Sequence, residues 1–120
     1  DYAERLGHIR GLGVPMEPEW GLTNWQSYCV TLPRGADQRA VMQALLDLGI
    51  STRRGIMNSH LEPAYQHPGA YRQGSSLQYS VAAQGGSIIL PLFTQMTEAE
   101  ISRVADGLEE VLGAANSAAA

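Results

Sequence analysis

The sequence has no lysine, a single cysteine and no apolar run that approaches the roughly 20 residues of a membrane span. A lone cysteine excludes an internal disulfide, and the position of Cys29 in a β-like run favours a buried, inert thiol. No basic-then-apolar signal segment opens the chain. We therefore expect a cytoplasmic protein without a membrane partner.

Positive charge is scarce in the chain, but one segment has a local excess of it. The eight basic residues are all arginine, and against 12 acidic residues they give a net charge of −4, which argues against a nucleic-acid partner. Between residues 52 and 72 the balance reverses, because Glu62 is the lone acid there. The basic and imidazole side chains of this segment are Arg53, Arg54, His60, His67 and Arg72. We expect the segment to receive an anionic ligand.

Length and periodicity predict one small domain. At 120 residues, with 44% hydrophobic and 17% charged residues, the chain has the composition of a single globular core. Alternating and helical apolar spacings predict an α/β (α+β, two-layer) fold, in which helices cover a sheet of three to four strands. The predicted strands are 25–32, 50–56 and 87–92. The predicted helices are an opening helix within 1–11, then 37–48, 77–83 and 97–112, with one further helical turn at 60–66.

Three helix ends carry local signals. Asp37 is a good N-cap for the second helix, and Gly49 supplies a left-handed turn after it. Thr97 and Glu100 form a capping box at the start of the last helix. After residue 112 few side chains remain to be buried, so the sequence predicts a frayed tail.

Four residues are candidate ligand contacts: Arg53, Arg54, His60 and Tyr65. Adjacent arginines in a regular strand point to opposite faces, and a guanidinium fork suits phosphate or carboxylate. An exposed pair that solubilises an edge strand is the alternative. His60 could donate to a phosphate or a hydroxyl, or it could only cap or pack, and Tyr65 could be an amphipathic core residue. The histidines and Cys29 show no zinc-ligand spacing, so we predict no metal site. No phosphate-loop, dinucleotide or serine-elbow motif occurs either.

Several stretches together resemble one family of enzymes. They are the strand WQSYCVTLP, the helix ADQRAVMQALLDLGI, the segment STRRGIMNSHLEPAYQ and the run SIILPLFTQMTEAEISRVADGLEEVL. The GI-x-TR run that ends in HLEPAY and the LPLF-x-x-MTE-x-E stretch are the most specific. The chain is similar to the C-terminal domain of the DegT/DnrJ/EryC1/StrS (sugar) aminotransferases, fold-type I enzymes that use pyridoxal phosphate, mostly on nucleotide-linked keto sugars.

The resemblance implies that a longer parent carries the activity. Family members are homodimers in which a large N-terminal domain holds the cofactor lysine and the small domain closes the substrate side of the cleft. His60 matches the histidine of the family's PLH-x-x-P-like loop near the substrate, although Asn58 and Ser59 stand where Pro-Leu is common. The parent would use pyridoxal phosphate, an amino donor and a nucleotide sugar. Because the cofactor aldehyde needs a lysine amine, we expect this chain alone to bind no cofactor and to be inactive.

The same resemblance suggests a division of the chain. Residues 1–13 would be the end of an interdomain helix, 14–113 the small C-terminal α/β domain, and 114–120 a disordered tail. A free-standing module that binds anionic small molecules or supports assembly, without catalysis, is the alternative, since fold alone does not fix function. A small hydrolase using His60 and Glu62 is a third reading, for which no nucleophile is marked.

Overall fold

The computed structural model describes residues 2–118 and confirms the predicted α+β class. Its helices are α1 (Tyr2–Leu6), α2 (Gln38–Asp47), α3 (Gln78–Gly86) and α4 (Glu98–Ala118). Its strands are β1 (Tyr28–Thr31), β2 (Arg53–Arg54) and β3 (Ser87–Leu90), and two 3-10 turns cover Ser59–Leu61 and Pro63–Tyr65. No helix within the described residues is both long and apolar enough to cross a membrane.

The sheet has three antiparallel strands in the order β1-β3-β2. Tyr28 pairs with Leu90 and Val30 with Ile88, and these side chains form the face that packs under the helices. The central strand β3 is hydrogen-bonded on both sides, so it is buried along nearly its whole length. This strand therefore anchors the two edge strands to the core.

All three strands are shorter than predicted, each for a local reason. Trp25 has a φ of 48°, which a regular strand does not accommodate, so β1 begins later. Ile50 donates its N–H to Leu45 O at 2.8 Å and completes the end of α2 instead of starting β2. Pro91 has no N–H to donate to a neighbouring strand, and β3 ends before it.

Helices α2 and α4 cover one face of the sheet and contact each other. Gly107 lies at their contact, where an added Cβ would come within 2.5 Å of Ile50 Cδ1. The largest fully buried side chains are Leu6 at the end of α1, which contacts α4, and Val30, Leu45, Ile88, Leu90 and Leu108 in the sheet and the α2–α4 layer. The core thus lies between the sheet and the α2–α4 pair, and the opposite face of the sheet is left open to other groups.

The predicted helix caps are confirmed. Asp37 Oδ1 accepts from Arg39 N at 2.9 Å, and Gly49 has a φ of 75°. In the capping box of α4, Thr97 N donates to Glu100 Oε2 at 2.8 Å, and Glu100 N donates to Thr97 Oγ1 at 3.3 Å. The bonds from Thr97 hold the pKa of Glu100 below its ordinary value, so the carboxylate stays charged at the positive end of the helix.

Two predicted helix ends are wrong. α3 does not stop before its glycines but runs to Gly86, because Gln38 Nε2 donates to Gln84 O at 2.8 Å and to Ser87 O at 2.6 Å and so supplies partners at its end. α4 does not stop at residue 112 but continues to Ala118. Alanine has the highest helix propensity, so α4 extends into the tail predicted as disordered at 114–120, as far as residue 118. Residues 119 and 120 lie outside the described part.

Two further predictions need smaller corrections. The opening helix ends at Leu6, and hydrogen bonds from Ile9 N to Leu6 O and from Leu12 N to Ile9 O continue the chain as turns. The single helical turn predicted at 60–66 is a pair of 3-10 turns, because Pro63 begins the second turn and has no N–H to continue the first. The division at residue 13 stays a prediction.

A pair of tyrosines links α1 to the first residue of β1. The rings of Tyr2 and Tyr28 have centroids 5.0 Å apart, and Tyr2 Oη donates to Pro91 O at 2.8 Å. Burial raises the pKa of Tyr2 to about 12, and the neighbouring Tyr28 acts in the same direction. Tyr28 Oη is also buried, but it finds no hydrogen-bond partner in residues 2–118. The two hydroxyls therefore contribute differently to stability.

Removing each hydroxyl separately tests this difference. Tyr2→Phe should lower the free energy of unfolding by about 1–2 kcal/mol, because Pro91 O loses its donor. Tyr28→Phe should leave it unchanged or raise it slightly, because an unpaired buried hydroxyl is removed. Urea unfolding of both variants beside the parent chain measures the effect, and equal destabilisation by the two substitutions would contradict the assignment.

Candidate functional site

The register of β2 sends its two arginines to opposite faces of the sheet. Arg54 pairs with Ile88 on the helix-covered face, and Arg53 pairs with Ile89 on the other face. Residues opposite one another in an antiparallel pair share a face. Both arginines are exposed, because β2 is an edge strand. The predicted opposite directions are therefore confirmed, and each arginine lines its own groove.

The groove beside Arg53 has a volume of about 260 Å³. Its wall is made by the segment that follows β3, including Phe93, and by the polar side chains of Gln26 and Ser27 before β1. Phe93 is half exposed. A guanidinium beside an exposed aromatic ring and short polar side chains can hold an anion next to a planar or apolar group.

The groove beside Arg54 has a volume of about 410 Å³ and lies against α2. Arg39 from the first turn of α2 contributes a second guanidinium, and Ser51 and Thr52 contribute hydroxyls. Ser51 lies between the two grooves and lines both of them. A ligand seated in either groove would therefore meet only one arginine of the Arg53–Arg54 pair.

His60 and Tyr65 lie together in a third groove, of about 420 Å³. The half-buried His60 lies on the first 3-10 turn and the exposed Tyr65 on the second, so the two turns bring their rings to one surface. Tyr71 completes the groove, with its ring centroid 6.1 Å from that of His60. An imidazole and two phenols can exchange hydrogen bonds with ligand hydroxyls and pack against a flat ring.

Asn58 fastens this groove to α3. Its side-chain Nδ2 donates to Ser80 O at 2.7 Å, and its backbone N donates to Gln84 Oε1, also at 2.7 Å. On the far side, Gln66 Nε2 donates to His60 O at 2.6 Å, which ties the second turn to the first. Asn58 is buried, so its role here is structural.

Gly55 is the point where the β2 segment approaches the sheet most closely. An added Cβ there would lie within contact distance of Ser87 Oγ and Cys29 Sγ, too close for either atom to stay in place. Only glycine allows β2 to reach β3 at this point, and Gly55 N donates to Ser87 O at 3.0 Å. The close approach fixes where the arginines and the His60 groove begin.

The structure therefore brings together only two of the four candidate residues, His60 and Tyr65. Sequence reasoning missed Tyr71, whose only signal was an aromatic residue in a polar, glycine-containing loop. It also missed Arg39, whose position on α2 carries no sign that it meets Arg54. Among residues 2–118, no group of three or more histidine, cysteine or acidic side chains could hold a metal ion.

A family model matches most of the chain. It is described as the DegT/DnrJ/EryC1/StrS aminotransferase family, and it covers residues 1–109. No curated protein sequence matches the chain.

Solved structures of aminotransferases share the fold over nearly the whole chain. The aminotransferase TlmJ from Streptoalloteichus hindustanus has a TM-score of 0.81 and 24% identity, over 96% of this chain and 30% of its own. DesI, solved in the presence of its TDP-sugar product, has a TM-score of 0.79 and 26% identity, and the match covers 98% of this chain and 30% of DesI. The PLP form of the putative sugar aminotransferase Spr1654 from Streptococcus pneumoniae has a TM-score of 0.75 and 18% identity, and the match covers 94% of this chain and 29% of Spr1654. This chain thus spans about 30% of the length of these proteins.

The close approach at Gly55 can be tested with a second glycine as the control. Gly55→Ala should lower the free energy of unfolding by about 1–3 kcal/mol, because the added methyl displaces Ser87 or Cys29. Gly74→Ala should change it by no more than about 0.5 kcal/mol, because no atom lies within contact distance there. Thermal or urea unfolding compares the two, and a Gly55→Ala variant as stable as Gly74→Ala would disprove the tight contact.

Proposed function

We propose, since this chain belongs to the DegT/DnrJ/EryC1/StrS aminotransferase family, that it is the C-terminal domain of a pyridoxal-phosphate-dependent aminotransferase acting on a nucleotide-linked keto sugar. The observation that carries this proposal is the match of the family model over residues 1–109. Support for the substrate class comes from DesI, which shares the fold and was solved with its TDP-sugar product. An amino donor would be the second substrate.

The chain does not provide the covalent attachment that pyridoxal phosphate requires. That cofactor bonds to a lysine amine, and the sequence has no lysine. The family's structures are more than three times as long as the part that this chain matches, which leaves room for a large domain that holds the cofactor. We therefore propose that this chain alone is inactive and closes the substrate side of the cleft in its parent.

The His60 groove is the surface that we assign to the sugar. The imidazole of His60 and the phenols of Tyr65 and Tyr71 can each donate hydrogen bonds to, and accept them from, the hydroxyl groups of a sugar ring. Within residues 2–118 the His60 ring has no hydrogen-bond partner, so both nitrogens are available to a ligand. Arg53, in the groove on the open face of the sheet, would meet an anionic part of the substrate.

An uncovered apolar face supports a large domain as partner. Met16, Trp20 and Leu22 lie on the segment between α1 and β1 and are 85%, 90% and 93% exposed. Met16 also lines an apolar groove of about 540 Å³, together with Trp25 and Tyr28. Exposed apolar clusters of this kind mark surfaces that another protein part covers. We propose that the missing N-terminal domain packs here, and that the parent is a homodimer, as the family resemblance implies. We also propose that the parent is cytoplasmic, as expected from the sequence.

A free-standing anion-binding module is the second candidate. Arg39 and Arg54, which line the groove against α2, favour this candidate, because two arginines can bind an anion without any catalytic residue. The length of the open reading frame separates the two proposals. An upstream coding region more than twice as long as this one, with a lysine after a strand, fits the aminotransferase only.

Substitution of His60 tests its place at the sugar. In the full-length protein, His60→Ala should lower kcat/KM for a nucleotide keto sugar by about tenfold or more, because a hydrogen bond to the substrate is lost. His67→Ala is the control, since His67 is exposed and lies outside the groove. Steady-state kinetics measures both, and unchanged turnover and affinity in His60→Ala would remove this residue from the site.

Absorbance can test whether a chain without lysine retains pyridoxal phosphate. The 120-residue chain, mixed with pyridoxal phosphate and then gel-filtered, should retain no visible absorbance from covalently bound cofactor, whereas the full-length parent should retain it. A chain that keeps the cofactor and transaminates a sugar on its own would overturn the proposal.

A further inference from the structure

The groove between β2 and α2 has the charge of an anion site. Arg39 and Arg54 both line it, and neither forms an ion pair or a hydrogen bond through its side chain with any residue in 2–118. No acidic residue lines the groove. The nearest acid in sequence, Asp37, does not line the groove and accepts from Arg39 N at 2.9 Å and Ala40 N at 3.1 Å. At the other end of α2, Asp47 accepts a hydrogen bond from Gln43 Nε2 at 2.8 Å. In a chain of net charge −4, two unpaired guanidinium groups at one groove are a local excess of positive charge.

A buried hydroxyl without a partner adds a second observation. Thr52 Oγ1 is shielded from solvent and makes no hydrogen bond within the described residues. Leaving a buried hydroxyl unpaired costs free energy. Thr52 lines the groove, so a rotation about χ1 would present this hydroxyl to a ligand oxygen and recover that free energy. Ser51, one residue before it, is exposed at the same groove and offers another hydroxyl. Two forked guanidinium groups and two hydroxyls together match the several acceptor oxygens of a phosphate.

The rest of the wall is apolar. Met42 packs partly against the core and Leu46 is about half exposed, and both line the groove from α2. The volume of about 410 Å³ lies within the range of small-molecule sites. Inorganic phosphate would leave this apolar wall unused, whereas an organic group attached to the phosphate would cover it.

We propose that the Arg39–Arg54 groove is a binding site for a small organic phosphate. It lies on the helix-covered side of β2, opposite to the groove of Arg53, and it shares no residue with the His60 groove. The site is therefore independent of the sugar surface and does not rest on the aminotransferase proposal. A phosphate ester in this groove would bridge the edge strand to α2.

Phenyl phosphate is a suitable probe, followed by NMR titration of the 120-residue chain. Amide signals of residues 51–54 and of the first two turns of α2 should shift saturably, and inorganic phosphate should bind at least threefold more weakly. The double variant Arg39→Gln/Arg54→Gln should weaken phenyl phosphate binding at least tenfold. The control Arg34→Gln/Arg72→Gln changes the charge equally, at two exposed arginines that line none of these grooves, and should bind as the parent chain does.

Thr52→Val isolates the hydroxyl. This substitution keeps the shape of the side chain, so it should weaken phenyl phosphate binding without lowering the free energy of unfolding. Three outcomes would overturn the proposal. They are the absence of saturable shifts up to roughly 10 mM probe, equal weakening in the two double-arginine variants, and equal affinities for phenyl phosphate and inorganic phosphate.

Discussion

The central position of β3 is the constraint on which the rest of the domain depends. β3 is paired on both sides, and its inward side chains Ile88 and Leu90 are almost completely buried against α2 and α4. Burial of that apolar surface is the main favourable term in folding a chain of this size. Each edge strand takes its register from β3, so the core also decides which way Arg53 and Arg54 point.

The helix ends were predictable because their chemistry is local. Asp37 bonds to amides two and three residues ahead, and Thr97 exchanges bonds with Glu100, so a short stretch of sequence contains both partners. Strand lengths were not predictable in the same way. The positive φ of Trp25 and the bond from Ile50 to the end of α2 interrupt alternating patterns that look continuous in the sequence. Backbone geometry there overrides side-chain periodicity.

The candidate site was predictable only in part. The period of two in a strand is enough to separate Arg53 from Arg54, and the short spacing between His60 and Tyr65 is enough to place them on one surface. What completes the two arginine grooves comes from distant parts of the chain, as Arg39 does beside Arg54 and Phe93 does beside Arg53. A single sequence read by itself holds no signal for such tertiary neighbours, whereas the motifs that resemble the family are contiguous and can be recognised directly.

The attachment of α3 has a consequence for how the His60 groove can move. None of the side chains of α3 is buried, and the bonds at Asn58 and Gln38 hold the helix to its neighbours. Polar links of this kind open at lower free energy than a packed apolar core does. We therefore expect the His60 segment and α3 to open together at a lower free energy than the sheet. The wall of the His60 groove would then behave as a hinged flap whose closure adjusts to what lies beneath it.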